Sequence, residues 1–247
     1  MNVLVTGASR GIGRAAARAF AERGARVVLH YRANRDAAGA ARDSLPGGPH
    51  FLLGADLAHP ERARDLFADA VEAAGRIDVL VNNAGIFEDH DVLSLSFEKW
   101  RDAWDRTLAT NLLSPVHLMY CAAHHMSEEG GGRIVNVSSR GAFRGEPHSP
   151  AYGASKAGLN SAGQSLAKAL GRRGVFVFTI APGWVDTDMA HASLEGQHAE
   201  LIREETALGR VATPEEVARA IVFCGLDAPE SMTGSILDVN GASYLRT

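Results

Sequence analysis

The chain has 247 residues, 46% of them hydrophobic and 22% charged, a globular composition that can bury one large core or two small ones. Its formal net charge is -4 and its arginines are scattered among carboxylates with no basic block, which excludes a groove for nucleic acid. No apolar run approaches the roughly 20 residues of a membrane span, MNVLVTGAS lacks a basic, apolar leader pattern, and Cys121 and Cys224 stand outside any C-x-x-C, so a cytoplasmic protein with reduced thiols is expected.

Apolar, β-rich runs recur at Val3–Thr6, Arg26–His30, Phe51–Leu53, Val79–Asn82, Ile134–Ser138, Val175–Ile180 and Ile236–Val239. Segments of helical length and period lie between them, among them Arg14–Arg23, Ala63–Ala74 and Gly153–Leu170. This alternation predicts an α/β fold, a doubly wound, Rossmann-type parallel sheet of about seven strands with helices on both faces. The Pro/Gly clusters at Pro46–Pro49 and Gly130–Gly132 are short enough for loops. No linker or repeat divides the chain, so residues 1–247 are expected to form a single domain. Ligands of such sheets gather at the carboxyl ends of the strands.

The first of these ends reads TGASRGIG, Thr6–Gly13. Gly7, Gly11 and Gly13 follow a strand and open a helix, which suits either a phosphate seated on the helix N-terminus or simply a tight turn. The second strand ends in His30, Tyr31 and Arg32, without the carboxylate that bonds the ribose 2′-OH of an unphosphorylated dinucleotide. That absence, with Arg10 in the turn and Arg32 beyond the strand, favours NADP(H), with NAD(H) as the alternative; the two arginines also suit plain surface positions.

Further motifs lie at later strand ends: NNAG (Asn82–Gly85), NVSS (Asn136–Ser139), YGASK (Tyr152–Lys156) and APGWVDTDM (Ala181–Met189). Tyr152 and Lys156 are four apart and share one face of a helix start. An ammonium there favours the phenolate of a tyrosine whose free pKa is about 10, although such pairs also occur on ordinary helices. His124 and His125 belong to no zinc-type spacing and are expected at the surface or in helix packing, with no metal required.

In this order the motifs, closed by TGSILDVNG at Thr233–Gly241, resemble those of the classical short-chain dehydrogenase/reductase family, and the resemblance runs over essentially the whole chain. It implies Tyr152 as general acid/base, Lys156 as the group that lowers its pKa and binds the nicotinamide ribose, and Ser139 as donor to the substrate carbonyl. Asn111, in LATNLL, matches the residue that holds a relay water; an asparagine bonding backbone is the other reading. Cofactor contacts are implied at Gly7, Ser9, Arg10, Gly11, Ile12 and Gly13, at Arg32, Asp56 and Leu57, at Asn83, Ala84 and Gly85, at Tyr152 and Lys156, and at Pro182, Gly183, Val185 and Thr187. Asp56 also suits a helix cap.

The nearest likeness within the family is to 3-oxoacyl-[acyl-carrier-protein] reductases, through TGASRGIGRA, YGASKAGL and APGWVDTDM. The implied activity is hydride transfer between NADP(H) and a carbonyl or secondary alcohol, with a 3-oxoacyl thioester, possibly on an acyl carrier protein, as the substrate and a free ketone, sugar or other small alcohol as the alternative. A dinucleotide sensor without turnover is a further alternative, which the complete Ser/Tyr/Lys set disfavours. Arg173 stands at one carrier-docking place, whereas Glu128 and Glu129 occupy the other and would repel an acidic partner. Phe178 replaces the family's usual asparagine, so backbone support there must differ. The resemblance also implies a substrate lid at Ala190–Leu208 and a homotetramer.

Overall fold

The computed structural model describes residues 1–190 and 196–246. Seven strands, β1 (Asn2–Val5), β2 (Arg26–Tyr31), β3 (Phe51–Gly54), β4 (Val79–Asn82), β5 (Gly132–Val137), β6 (Val175–Pro182) and β7 (Ile236–Val239), pair in parallel in the order β3-β2-β1-β4-β5-β6-β7. Every expected run is a strand. β6 extends through Ala181 and Pro182 because they pair with Asp238 and Val239 of β7, and Gly132, expected in a loop, begins β5 opposite Val175.

Side chains along a strand alternate between the two faces of the sheet. Val3, Val5, Val27, Leu29, Val79, Val81, Phe178 and Ile180 pack with helices α1 (Gly11–Glu22) and α9 (Pro214–Val222). Leu4, Val28, Leu80, Ile134 and Val177 pack with α3 (Arg62–Ala74), α5 (Ser114–Glu128) and α7 (Pro150–Leu170). Burial on both faces is why the strands read as continuous apolar runs; each fully buried Val or Leu contributes about 1.5–3 kcal/mol against the cost of ordering the chain.

Helix starts follow local chemistry. The side chain of Asn34 accepts the Ala37 N–H at the head of α2 (Arg35–Asp43), and Ser96 does the same for Lys99 in α4 (Phe97–Leu108). Thr213 and Glu216 form a reciprocal capping box on α9. Pro150, pre-set for a first helical turn, starts α7 ahead of the expected Gly153. Short α6 (Gly141–Arg144) joins β5 to α7, and α8 (Gly196–Glu204) precedes α9.

The strand order reverses between β1 and β4, which opens a crevice at their carboxyl ends. Glu128 and Glu129, before β5, and Arg173, before β6, lie at the opposite, amino end of the sheet. Phe178 is fully buried beneath the Arg133 guanidinium, 5.6 Å from its ring centre, so support there is apolar and cation–π. Of the lid expected at Ala190–Leu208, residues 191–195 lie outside the described residues; α8 buries Ala199 and Ile202 and exposes Leu201. Cys121 and Cys224 are free thiols, and no described helix is long and apolar enough to cross a membrane.

Candidate active site

A cleft of about 310 Å³ occupies the crevice, within the usual range for ligand pockets. Gly7, Ser9, Arg10, Gly11, Ile12, Arg32, Asp56, Leu57, Asn83, Ala84, Gly85, Ser139, Tyr152, Lys156, Pro182, Gly183, Val185 and Thr187 all line it. Gly13 and Asn111 do not line it and act on it through their neighbours.

The turn after β1 is shaped by close approach. Gly7 and Gly11 have φ of +64° and +53°, and a Cβ on Gly13 would fall on the Gly7 carbonyl oxygen and 2.5 Å from Asn83 Nδ2. Thr6 Oγ1 accepts the N–H groups of Asn83 and Ala84 at 2.9 and 3.0 Å, while Asn83 Nδ2 donates to the Thr6 carbonyl at 2.9 Å, so the turns after β1 and β4 lock together. No side chain caps α1, which leaves its positive N-terminal end available to an anion. A dinucleotide pyrophosphate fits this cradle.

His30, next to last in β2, lines the cleft and accepts the Gly7 N–H, and no carboxylate stands at the end of this strand. Arg32 is exposed at the cleft, and Arg10 pairs with Asp188 at 3.3 Å with both side chains 67% exposed, a contact too solvated to hold Arg10 against a phosphate. These residues fit a 2′-phosphate. Asp56 accepts the Ala58 N–H at 2.9 Å in a local turn ahead of α3, rather than capping that helix.

At the other end of the cleft, Ser139 follows β5 and its Oγ accepts the Gly141 N–H at 3.0 Å. Tyr152 and Lys156 project from the first turns of α7, with Lys156 Nζ 5.6 Å from the Tyr152 ring centre and donating to the Val137 carbonyl at 2.9 Å. Burial pushes the Tyr152 phenol up to about 12, partly offset by the nearby Ser139 hydroxyl, and pushes the Lys156 ammonium down to about 8. The protein alone therefore holds the tyrosine protonated, as a proton donor.

Asn111 sits in a single π-helical turn, Ala109–Leu113, between α4 and α5. Its Oδ1 accepts the Ile86 N–H at 2.8 Å and its Nδ2 donates to the Ile86 carbonyl at 2.9 Å, so it bonds backbone of the loop after β4. A Cβ on Gly85 would stand 3.3 Å from Asn111 Oδ1 and 3.5 Å from Lys156 Nζ, which places both side chains behind that loop.

Sequence reasoning did not single out Thr6, Phe87, Arg140, Glu146 or Trp184. Phe87 meets the Tyr152 ring edge-on at 4.9 Å and the Trp184 ring at 6.5 Å, forming an aromatic wall over the reacting end. Only Thr6, which opens TGASRGIG, and Trp184, beside Pro182-Gly183, stood inside motifs that the sequence marks. His124 is exposed beside Tyr120 of its own helix, while His125 accepts the Ile77 N–H at 3.1 Å where α5 packs, so one lies at the surface and one in packing.

Comparison with known proteins agrees with this geometry. A family model described as enoyl-(acyl carrier protein) reductase matches residues 7–242. An L-rhamnose 1-dehydrogenase (NAD(P)(+)) of Azotobacter vinelandii is 40% identical over 250 residues, covering 98% of this chain and 96% of the relative. A 3-oxoacyl-[acyl-carrier-protein] reductase of Escherichia coli is 35% identical over 242 residues, with the same coverage of 98% and 96%. A short chain dehydrogenase from Burkholderia cenocepacia, solved in complex with NADP, superposes with a TM-score of 0.88 at 34% identity, covering 98% of this chain and 96% of that one. With its seven-stranded sheet, glycine cradle and Ser139, Tyr152 and Lys156 in one cleft, the chain belongs to the short-chain dehydrogenase/reductase family.

Proposed function

We propose that the chain is an NADP(H)-dependent oxidoreductase that moves a hydride between nicotinamide and a carbonyl or secondary alcohol. The observation that carries this reading is a single cleft with a glycine cradle and two exposed arginines at one end and a serine hydroxyl, a protonated tyrosine and a lysine at the other. NADPH, when bound, would supply the hydride. Tyr152 then gives its proton to the carbonyl oxygen, Ser139 Oγ–H donates to the same oxygen, and Lys156 stands close enough to stabilise the phenolate left behind. In the direction of oxidation the same phenolate takes the alcohol proton.

Two substrate groups fit this reaction, 3-oxoacyl thioesters and free sugars or other small alcohols, matching the activities for which the Escherichia coli and Azotobacter vinelandii relatives are named. Glu128 and Glu129 speak against an acidic carrier as partner. A homotetramer fits the exposed apolar residues Val92, Leu93, Phe97 and Tyr120, and free Cys121 and Cys224 fit the cytoplasm. The test is NADPH absorbance with ketones, sugars and 3-oxoacyl thioesters, and NADP⁺ reduction with the matching alcohols. Turnover of any of them supports the enzyme; cofactor binding with no turnover supports the sensor.

A further inference from the structure

Glu146 lies between α6 and α7 and lines the same cleft as Ser139 and Tyr152, with its side chain only 15% exposed. It is packed against Gly141, where a Cβ would stand 2.5 Å from its Oε1, so the carboxylate has little freedom to swing toward water. Its surroundings leave its acceptor capacity unused. Among the described residues no donor hydrogen-bonds it; the ion contact is to Arg144 Nε at 3.8 Å, and that guanidinium also leans 3.5 Å from Glu205. Arg140, the other nearby cation, gives Nη2 to Glu205 at 2.8 Å, while its Nη1 is buried and bonds neither Glu146 nor any other described group. A largely buried carboxylate held only by a long ion contact keeps acceptor capacity to spare, and a ligand that brings a hydroxyl supplies a donor for it.

Two further features narrow the ligand. The charge of Glu146 is felt at the Tyr152 phenol, which places it near the reacting end rather than the phosphate cradle. Phe87 and Trp184 line the same cleft, and their rings suit the C–H face of a sugar. An anionic substrate would meet repulsion from Glu146, and an aliphatic acyl chain would bury the carboxylate against methylene groups.

Resting on the oxidoreductase reading above, we infer that Glu146 is a specificity-determining residue: its carboxylate accepts a hydrogen bond from a substrate hydroxyl beside the reacting carbon, and so selects uncharged, polyhydroxylated substrates. The redox step itself is unaltered; the carbon's hydride reduces the nicotinamide and the hydroxyl proton goes to Tyr152.

The experiment measures kcat/KM with NADP⁺ for an aldopyranose and its 2-deoxy counterpart, and with NADPH for a 3-oxoacyl thioester and a hydroxyl-free ketone. Wild type, Glu146→Gln and Glu146→Ala are compared, and NADPH titration checks that each variant is folded. The wild type is expected to favour the hydroxylated sugar over its deoxy analogue by roughly ten- to a hundredfold, with the ratio falling in Gln and approaching unity in Ala. A wild type that turns over only the thioester or the plain ketone overturns the role of Glu146 and leaves the oxidoreductase reading standing. A sugar preference that survives both substitutions does the same. Absence of turnover with every substrate overturns both.

Discussion

Nδ1 of His30 accepts the backbone N–H of Gly7 at 3.1 Å while Nε2 faces the Ala55 carbonyl at 3.0 Å. These partners assign the neutral ring with its proton on Nε2. Burial holds the imidazole below its ordinary value, and a proton on Nδ1 would set a donor against the Gly7 donor. Because the folded-state value is depressed, this contribution is complete above the unfolded value of about 6.5 and is lost as pH falls through the depressed one. Urea unfolding and NADPH titration between pH 7.5 and 5 are expected to show both stability and affinity declining. His30→Leu should lose about 1–3 kcal/mol at neutral pH through an unpaired N–H and lack this part of the pH dependence. An identical pH profile in the variant would contradict the assignment.

Gly13 and Gly39 make opposite forecasts for one substitution. Gly13→Ala puts a methyl group on the Gly7 carbonyl and Asn83, both fixed, so the cradle must open; cofactor affinity should fall at least tenfold and stability by about 1–3 kcal/mol. Gly39 lies inside α2 with nothing within 4 Å of its would-be Cβ, and Gly39→Ala should stabilise by roughly 0.5–1 kcal/mol. Thermal melts with and without NADPH separate the two.

Lys156 is kept at the expense of stability. Its descent to about 8 corresponds to a penalty on the order of 3 kcal/mol for the buried ammonium at neutral pH, larger than the roughly 1 kcal/mol of its bond to Val137. Lys156→Met is expected to abolish turnover and yet raise the melting temperature by a few degrees below pH 8. The advantage should shrink as pH rises from 8 toward 10.5, where the lysine becomes neutral in both states. A destabilised variant at pH 7 would contradict this.

Cofactor choice tests the end of β2. NADPH should bind at least tenfold more tightly than NADH, and Arg32→Asp should flatten or reverse the preference by adding the missing carboxylate and removing a phosphate partner. Fluorescence titrations of both cofactors decide it, and equal affinities in the wild type would mean that Arg10 and Arg32 serve only the surface.

Much of the fold is legible in the chain because its strands are buried on both faces and its glycines mark strand-to-helix turns; Tyr152 and Lys156 are legible because helix geometry fixes an i, i+4 pair. The rest depends on contacts distant in sequence. Nothing near His30 reveals that its ring meets Gly7, and nothing near Arg140 reveals Glu205, since each pairing is made only when the sheet assembles. Glu146 reads as one more loop carboxylate until α6 folds Gly141 against it. Strand ends shifted for the same reason, as when Pro182 joined the sheet through Val239.

In the proposed function Tyr152 delivers the proton in a cofactor-dependent hydride transfer. Tyr152→Phe removes one hydroxyl and almost no volume beside Phe87, so the most direct measurement is the rate of NADPH oxidation by this variant on whichever carbonyl the wild type reduces, with NADPH affinity titrated in parallel. The expected result is a fall of about 10²–10⁴-fold in kcat with NADPH affinity within a few-fold of wild type. A variant that retains more than about a tenth of the wild-type rate would contradict it, since general acid catalysis of the expected size could not then come from this residue.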